Sequence, residues 1–225
     1  MLEQNKIYNL DCMDFLEQIT PVDAIITDPP YMINTKSDGT GKLNPWADYC
    51  NGAYWYAEWF KKAKRKLLPH GCMWVFLNWR SLATYQKAVC DAAWSIETLL
   101  VWDKCWIGPG GERGLRPSYE LVALLAAPNF AIKDRGIPDI RREKWSSTKP
   151  NGHPAEKPVK LLEWLISIST PEGAMICDPF MGSGTTAEAA ANTGRNIIGS
   201  ELDAAWCDYS NERYQQAIAQ TSILY

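Results

Sequence analysis

An α/β fold, doubly wound around a mostly parallel sheet, is what this 225-residue chain predicts. Strand-like runs alternate with helical stretches along most of the length. Several of those runs are almost continuously apolar, as strands covered on both faces must be. A glycine turn, Gly182-Ser183-Gly184, joins one such run directly to an alanine-rich helix.

Seven strands are expected, with helices between most of them. Lys6–Leu10 and Asp23–Thr27 come first. A helix over Ala53–Leu68 carries a basic run and stops at Pro69-His70-Gly71. Cys72–Asn78 is the third strand, followed by a helix over Ser81–Ala93. Ile96–Asp103 and Tyr119–Ala127 are joined by a Gly/Pro loop (Gly108-Pro-Gly-Gly-Glu-Arg-Gly114) with no helix, so they read as an antiparallel element at one edge of the sheet. Lys157–Ile168 places Pro158 in the first turn and Leu161, Leu162, Leu165 and Ile166 on one face. Ala174–Cys177 follows Pro171-Glu-Gly173, and a helix over Thr185–Asn192 closes at Gly194. Asn196–Ser200 and an amphipathic helix over Ala204–Ala219 complete the chain. The stretch Pro128–Pro154 has no strong period, and structureless segments of that length are usually functional.

The length suits one domain, spanning residues 1–225. No run of about 18 apolar residues exists, so a membrane span is excluded, and the start lacks the basic-then-apolar character of a signal peptide. Seven cysteines without a Cys-x-x-Cys pair, and two histidines, argue against a disulfide framework or a structural metal. They fit a reducing cytoplasm. The net charge of −3 gives no global pull toward nucleic acid, so any such contact must be local. Eleven tryptophans and ten tyrosines serve mostly as core and anchoring aromatics. The cluster Trp46, Tyr49, Tyr54, Trp55, Tyr56 and Trp59 is dense enough for some members to stack on bases.

Two motifs carry chemistry. In Asp178-Pro-Phe180-Met-Gly182-Ser183-Gly184-Thr185-Thr186 the glycines permit a tight strand-to-helix turn and close approach of a nucleoside ligand. A P-loop would need Gly-Lys-Ser/Thr, and no lysine follows Gly184. A dinucleotide fingerprint would need a third glycine where Ala187 stands. Glu201, after the next strand, is placed for a ribose diol. The second motif, Asp28-Pro29-Pro30-Tyr31, ends a strand. A carboxylate, two stiff prolines and an aromatic ring can hold a flat, amino-bearing base by its edge and face. Alone, it reads equally as a Pro-Pro turn after a strand.

Together and in this order, the motifs resemble those of the DNA amino methyltransferases in the circularly permuted β group. Asp178 through Thr186 and Glu201 resemble motifs I and II of that family, and Asp28 through Tyr31 resemble motif IV. His153-Pro-x-x-Lys157-Pro158 is similar to motif X, which frames the methionine end of the cofactor. Asp11 resembles the acid that recognises the cofactor adenine, although Leu10 stands where the family carries glycine. On its own, Asp11 reads as a helix cap. The resemblance implies S-adenosyl-L-methionine as cofactor, no metal, and a Rossmann-like sheet with Ala174–Cys177 at its centre. It also implies a duplex DNA substrate with a flipped adenine, and it allows a homodimer. Asp28 favours adenine, because cytosine-N4 members usually carry Ser there.

From Ile132 to Lys160, eight basic residues face four acidic ones. Arg141, Arg142 and Lys144 are the candidate phosphate contacts within a short recognition segment of about 128–152; a solvated loop is the other reading. The more basic run Lys61–Lys66 reads as a solvated helix face. The expectation is a cytoplasmic adenine-N6 methyltransferase, bacterial or phage-encoded and associated with the nucleoid, acting at a short or relaxed DNA target. Cytosine N4 or RNA adenine as substrate, or a non-catalytic nucleic-acid-binding module, are the alternatives.

Overall fold

The computed structural model describes residues 1–31, 49–108, 112, 114–145 and 156–223. In chain order the elements are β1 (Lys6–Tyr8), α1 (Cys12–Gln18), β2 (Val22–Thr27), α2 (Tyr49–Arg65), β3 (Leu67–Leu77), α3 (Leu82–Asp91), β4 (Thr98–Asp103) and β5 (Tyr119–Ala126). They continue with β6 (Ile140–Arg142), α4 (Val159–Ser169), β7 (Met175–Asp178), α5 (Thr185–Asn192), β8 (Asn196–Ser200) and α6 (Ala204–Ile223). The strands form one sheet in the order β1-β8-β7-β2-β3-β5-β4-β6. Only β5 runs antiparallel to its neighbours.

Strand pleating divides the central runs between two cores. Ile25, Met73, Val75 and Leu77 pack with Phe15, Leu16, Tyr56, Trp59 and Phe60 under α1, α2 and α3. Their immediate neighbours Ala24, Ile26, Trp74 and Phe76 point the other way, to Leu161, Leu165 and Ile166 of α4 and to Ala187 and Ala190 of α5. Continuous apolar strands are therefore required, and alternation in polarity would have failed on one face.

The sequence reading differs from the structure in four places. Helix α2 ends at Arg65, and Pro69-His70-Gly71 lies inside β3 and not between helix and strand. The described residues form eight strands, because residues 140–142 form β6, which pairs parallel to β4. The reversed strand is also not at the edge: β5 sits between β3 and β4, bonded to both. Pairing β5 with β3 over six residues, Cys72↔Ala126 to Leu77↔Leu121, extends the apolar core further than an edge position would. Finally, β7 lies third from the β1 edge, flanked by β8 and β2, and not at the middle. Asp11 does cap α1, accepting the Met13 N–H at 2.8 Å.

The turn from β7 into α5 depends on Gly184, which has φ +80°. A Cβ there would lie 2.8 Å from the Ser210 Cα of α6. Gly184→Ala is expected to cost about 2–4 kcal/mol, from left-handed strain plus the clash with a helix backbone. Thermal unfolding should show the loss, and an unchanged midpoint would refute the packing argument.

Candidate active site

β2 and β7 are neighbours, yet the chain leaves β2 toward α2 on one face and leaves β7 toward α5 on the other. Such a switch point opens a crevice outside the carboxyl ends of the strands. The two ends are bolted together there. The Thr27 hydroxyl donates to Asp178 Oδ1 at 2.6 Å, and the Phe180 N–H donates to the same oxygen at 3.0 Å. Burial pushes the Asp178 carboxyl up to about 6, against the hydrogen bonds from Thr27, Thr186 and Phe180 and with a smaller push from Asp28. Because the folded value exceeds the ordinary one, stability falls as pH rises from about 4 to about 6 and stays lower above that. Ionised Asp178 therefore does not stabilise the fold at neutral pH.

A cleft of about 260 Å³ lies over this junction. Its walls include Asp28, Lys157, Asp178, Phe180, Gly182, Ser183, Thr185, Thr186 and Glu201, so nearly every residue expected to hold the cofactor is gathered here. Gly184 lies behind the wall, against α6. Asp11 is committed to the cap of α1 and is not among the lining residues. His153 lies outside the described residues. Glu201 is anchored through both oxygens: Oε2 accepts the Gly182 N–H at 2.8 Å and Oε1 the Asp203 N–H at 3.0 Å. Each oxygen keeps a lone pair for a further donor, such as a ribose hydroxyl. Four carboxyl groups (Asp28, Glu156, Asp178, Glu201) against the single ammonium of Lys157 suit a cationic nucleoside and oppose a phosphate ester. A sulfonium nucleoside such as S-adenosylmethionine fits this donor set.

A second cavity of about 450 Å³ meets the first at Asp28, Pro30, Glu156 and Lys157. The whole Asp28-Pro29-Pro30-Tyr31 turn lines it, with Trp102, Trp106 and Trp145 opposite. Lys157 bonds one oxygen of Asp28, Oδ2. The other, Oδ1, is buried and has no partner among the described residues. A buried acceptor without a donor is costly, and its position where both cavities meet fits an incoming N–H. The Tyr31 hydroxyl donates to Glu120 Oε2 at 3.3 Å. Lys157 approaches the same oxygen at 3.5 Å, and Lys104 pairs with Glu120 Oε1. Burial alone would raise the Glu120 carboxyl, but the flanking ammoniums of Lys157 and Lys104 outweigh it and hold the group below the usual range. Burial likewise works against charge on Lys157, and Asp28 and Glu120 overcome it, so the ammonium persists above its ordinary range.

Several contributors were not singled out from the sequence. Two of the α2 aromatics are out of reach of a base: Tyr56 and Trp59 are fully buried, and they brace the two motif turns from below. The Tyr56 hydroxyl donates to the Pro30 carbonyl. Trp59 packs on Phe180 with ring centroids 5.5 Å apart, and Trp55 lies nearly parallel to Trp59 at 6.2 Å. Tyr54 is exposed, while Trp46 and the Tyr49 side chain lie outside what is described. Arg213 of α6 ties Glu188, the Ser183 carbonyl and Glu156 together behind the glycine turn. Glu120 could have been found as an acid opening an otherwise apolar strand. Trp102 and Trp106 leave no local signal, because they come from the end of β4 and the turn after it.

The candidate phosphate contacts are placed unequally. The Arg141 guanidinium lies 5.0 Å over the Trp164 ring and 3.6 Å from Glu143, so it packs β6 onto α4. Arg142 is exposed and bonded to Asp103 at 2.9 Å. Lys144 is exposed beside Trp145, which lines the second cavity. The run Lys61–Lys66 is more than a solvated face: Lys66 donates to the Ile19 carbonyl at 2.8 Å, and Lys62 pairs with Glu17 of α1. No helix among the described residues is long and apolar enough to cross a membrane.

Comparison with known proteins agrees with this geometry. Residues 22–212 match the N6/N4 DNA methylase family. The protein YubD of Escherichia coli (strain K12) is 33% identical over 188 residues, covering 80% of this chain and 76% of its own length. The type II methyltransferase M2.MboI of Moraxella bovis is 28% identical over 244 residues, 93% of this chain and 87% of its own. The crystal structure of M1.HpyAVI in complex with S-adenosylmethionine superposes with a TM-score of 0.74 at 25% identity, covering 92% of this chain and 98% of that one. The match spans both cavities and the strands that carry them, and the chain belongs to the N6/N4 family of S-adenosylmethionine-dependent DNA methylases.

Proposed function

We propose that the chain methylates the exocyclic N6 amine of adenine in DNA. The observation that carries this reading is the buried, unpartnered Oδ1 of Asp28 at the junction of the two cavities. An adenine amine is a weak nucleophile because its lone pair is delocalised into the ring. Asp28 Oδ1 accepts one of its N–H groups and the Pro29 carbonyl the other, which draws the nitrogen toward tetrahedral geometry and localises the pair. The prolines fix the backbone, so both acceptors are in place before the base arrives. Tyr31, with Trp106 and Trp145, provides the faces against which a flipped base stacks, offsetting the few kcal/mol of unstacking; Trp102 is fully buried behind them. Bound S-adenosylmethionine supplies the electrophilic methyl group. Glu201 holds the ribose hydroxyls, and Gly182, Ser183, Thr185, Thr186, Phe180 and Asp178 form the remaining wall.

One domain would carry both cavities. Within the described part of the recognition segment, Lys133, Arg135, Arg142 and Lys144 are the exposed cations available to phosphates, and a segment this short suits a short or relaxed target. The reaction belongs to the cytoplasm, where DNA and cofactor meet.

Nucleoside analysis of DNA methylated by the purified protein is expected to yield N6-methyladenine. N4-methylcytosine as the product would transfer the assignment to cytosine. Asp28→Ala should lower turnover by at least about 100-fold, the loss typical of removing one preorganised polar partner of a transition state. Its cofactor affinity should stay within a few-fold, and substantial remaining turnover would sink the mechanism. Glu201→Gln replaces one carboxylate oxygen by an amide NH₂, which cannot accept from a backbone N–H. Calorimetry should show cofactor binding weaker by about 1.5–3 kcal/mol; unchanged affinity would make Glu201 a turn residue only.

A further inference from the structure

We propose that Glu120 is a positioning residue for methyl transfer: it fixes Lys157 and the Tyr31 hydroxyl, and through Lys157 it presents the free oxygen of Asp28 to the base amine. The proposal rests on reading Asp28 Oδ1 as the acceptor of that amine. Glu120 comes from the start of β5, the one reversed strand, which is why a residue at the beginning of a strand reaches the carboxyl-end crevice. It stands at the junction of three contacts, with Lys104 on one oxygen and Lys157 and the Tyr31 hydroxyl on the other. Lys157 in turn holds Asp28 Oδ2. Lys104, Glu120, Lys157 and Asp28 thus form a chain of alternating charge along the wall of the second cavity.

The geometry of this chain decides which way Asp28 faces. Lys157 is tethered from both sides, by Asp28 after β2 and by Glu120 at the start of β5, so its ammonium is held at the wall the two cavities share. With Oδ2 occupied, the carboxylate has a single free oxygen, and rotation of Asp28 would break the ion pair. Tyr31 is held in the same way, since its ring belongs to the catalytic turn while its hydroxyl lies between Glu120 Oε2, to which it donates at 3.3 Å, and the Asp28 carboxylate. The groups facing Lys157 are Asp28, Glu120, Tyr31 with its ring 5.7 Å away, the Phe76 ring of β3 at 5.2 Å, Glu156 next in the chain and Asp178 across the cleft. Of these, Asp28 and Glu120 are the carboxylates that sustain its charge against burial.

Removing the Glu120 charge therefore has a signature that a purely structural role lacks. In Glu120→Gln the Lys157 ammonium keeps one carboxylate instead of two. The alkaline limb of the pH–rate profile should move down, by about one pH unit. Turnover should fall on the order of 100-fold, as for displacement of a reacting group by about 1 Å, while cofactor affinity is unchanged because Glu120 does not line the first cleft. Glu120→Asp keeps the charge and should restore the pH profile and part of the rate. The double variant Glu120→Gln/Lys104→Met, which leaves no unpaired ammonium on Glu120's outer side, should show the same profile as Glu120→Gln. Wild-type turnover and pH profile in Glu120→Gln would overturn the proposal. So would loss of cofactor binding in step with turnover in both the single and the double variant, since Glu120 would then hold only the fold. Counting methyl groups regardless of base keeps the outcomes separate. A cytosine product would correct the substrate and leave Glu120's role standing, whereas an inactive Asp28→Ala beside an unaffected Glu120→Gln would remove this inference alone.

Discussion

Everything functional in this chain depends on β2 and β7 lying side by side. Their ladder is short, Ala24↔Ile176 and Ile25↔Cys177, and beyond it the Thr27–Asp178 hydrogen bond closes the last gap. That contact puts the Asp-Pro-Pro-Tyr turn and the Gly-x-Gly turn on the same side of the sheet, one for each cavity. The helices reinforce it from both faces: Tyr56, Trp59 and Phe180 brace the turns from the α2 side, and Arg213 secures the glycine turn from α6. The aromatic mass under the site holds two backbone segments still, so that a few polar atoms face the ligands without having to move.

The site is also where the molecule gives up stability. Asp178 is buried as an acid whose ionisation is unfavourable, and four further charges stand together in the neighbouring wall. A buried ion pair seldom stabilises a protein more than well-packed apolar side chains would, yet breaking one is expensive because the survivor is left without a counterion. Alternation of sign along Lys104, Glu120, Lys157 and Asp28 keeps every member compensated. Among the described residues of that wall, the buried side-chain atom left unmatched is Asp28 Oδ1. Strain of this sort is tolerable in a domain whose two cores are otherwise apolar and closely filled.

Much of the fold is legible because it follows from chain-local physics. Apolar runs of strand length marked seven of the strands, and the helix over Thr185–Asn192 matches α5 residue for residue. β6 was hidden because a three-residue strand carrying Arg141 and Arg142 has no apolar period, and it forms the edge of the sheet with β4 as its one partner among the described strands. The position of β5 was hidden for another reason: a hairpin pattern says that β4 and β5 pair, and says nothing about which of them meets β3. At the site, residues contiguous in sequence were found, and residues brought together by the sheet were not. Glu120, Trp102 and Trp106 belong to the second group. The α2 aromatics were open to a better reading, since Tyr56, Trp59, Phe60 and Ala63 recur at helical spacing on one buried face.

The order of synthesis gives the β2–β7 contact a further meaning. Residues 27 and 178 are joined across most of the chain, so a growing polypeptide has made β1 through β6 before the partner of β2 exists. Until then β2 is paired only with β3, and its other side presents unpaired backbone flanked by Ile25 and Ile26. The two cavities cannot form in any such intermediate, because each needs residues from 156 onward. Formation of the site is therefore a late folding event of long loop closure, and the nascent chain carries a sticky sheet edge until its final quarter emerges.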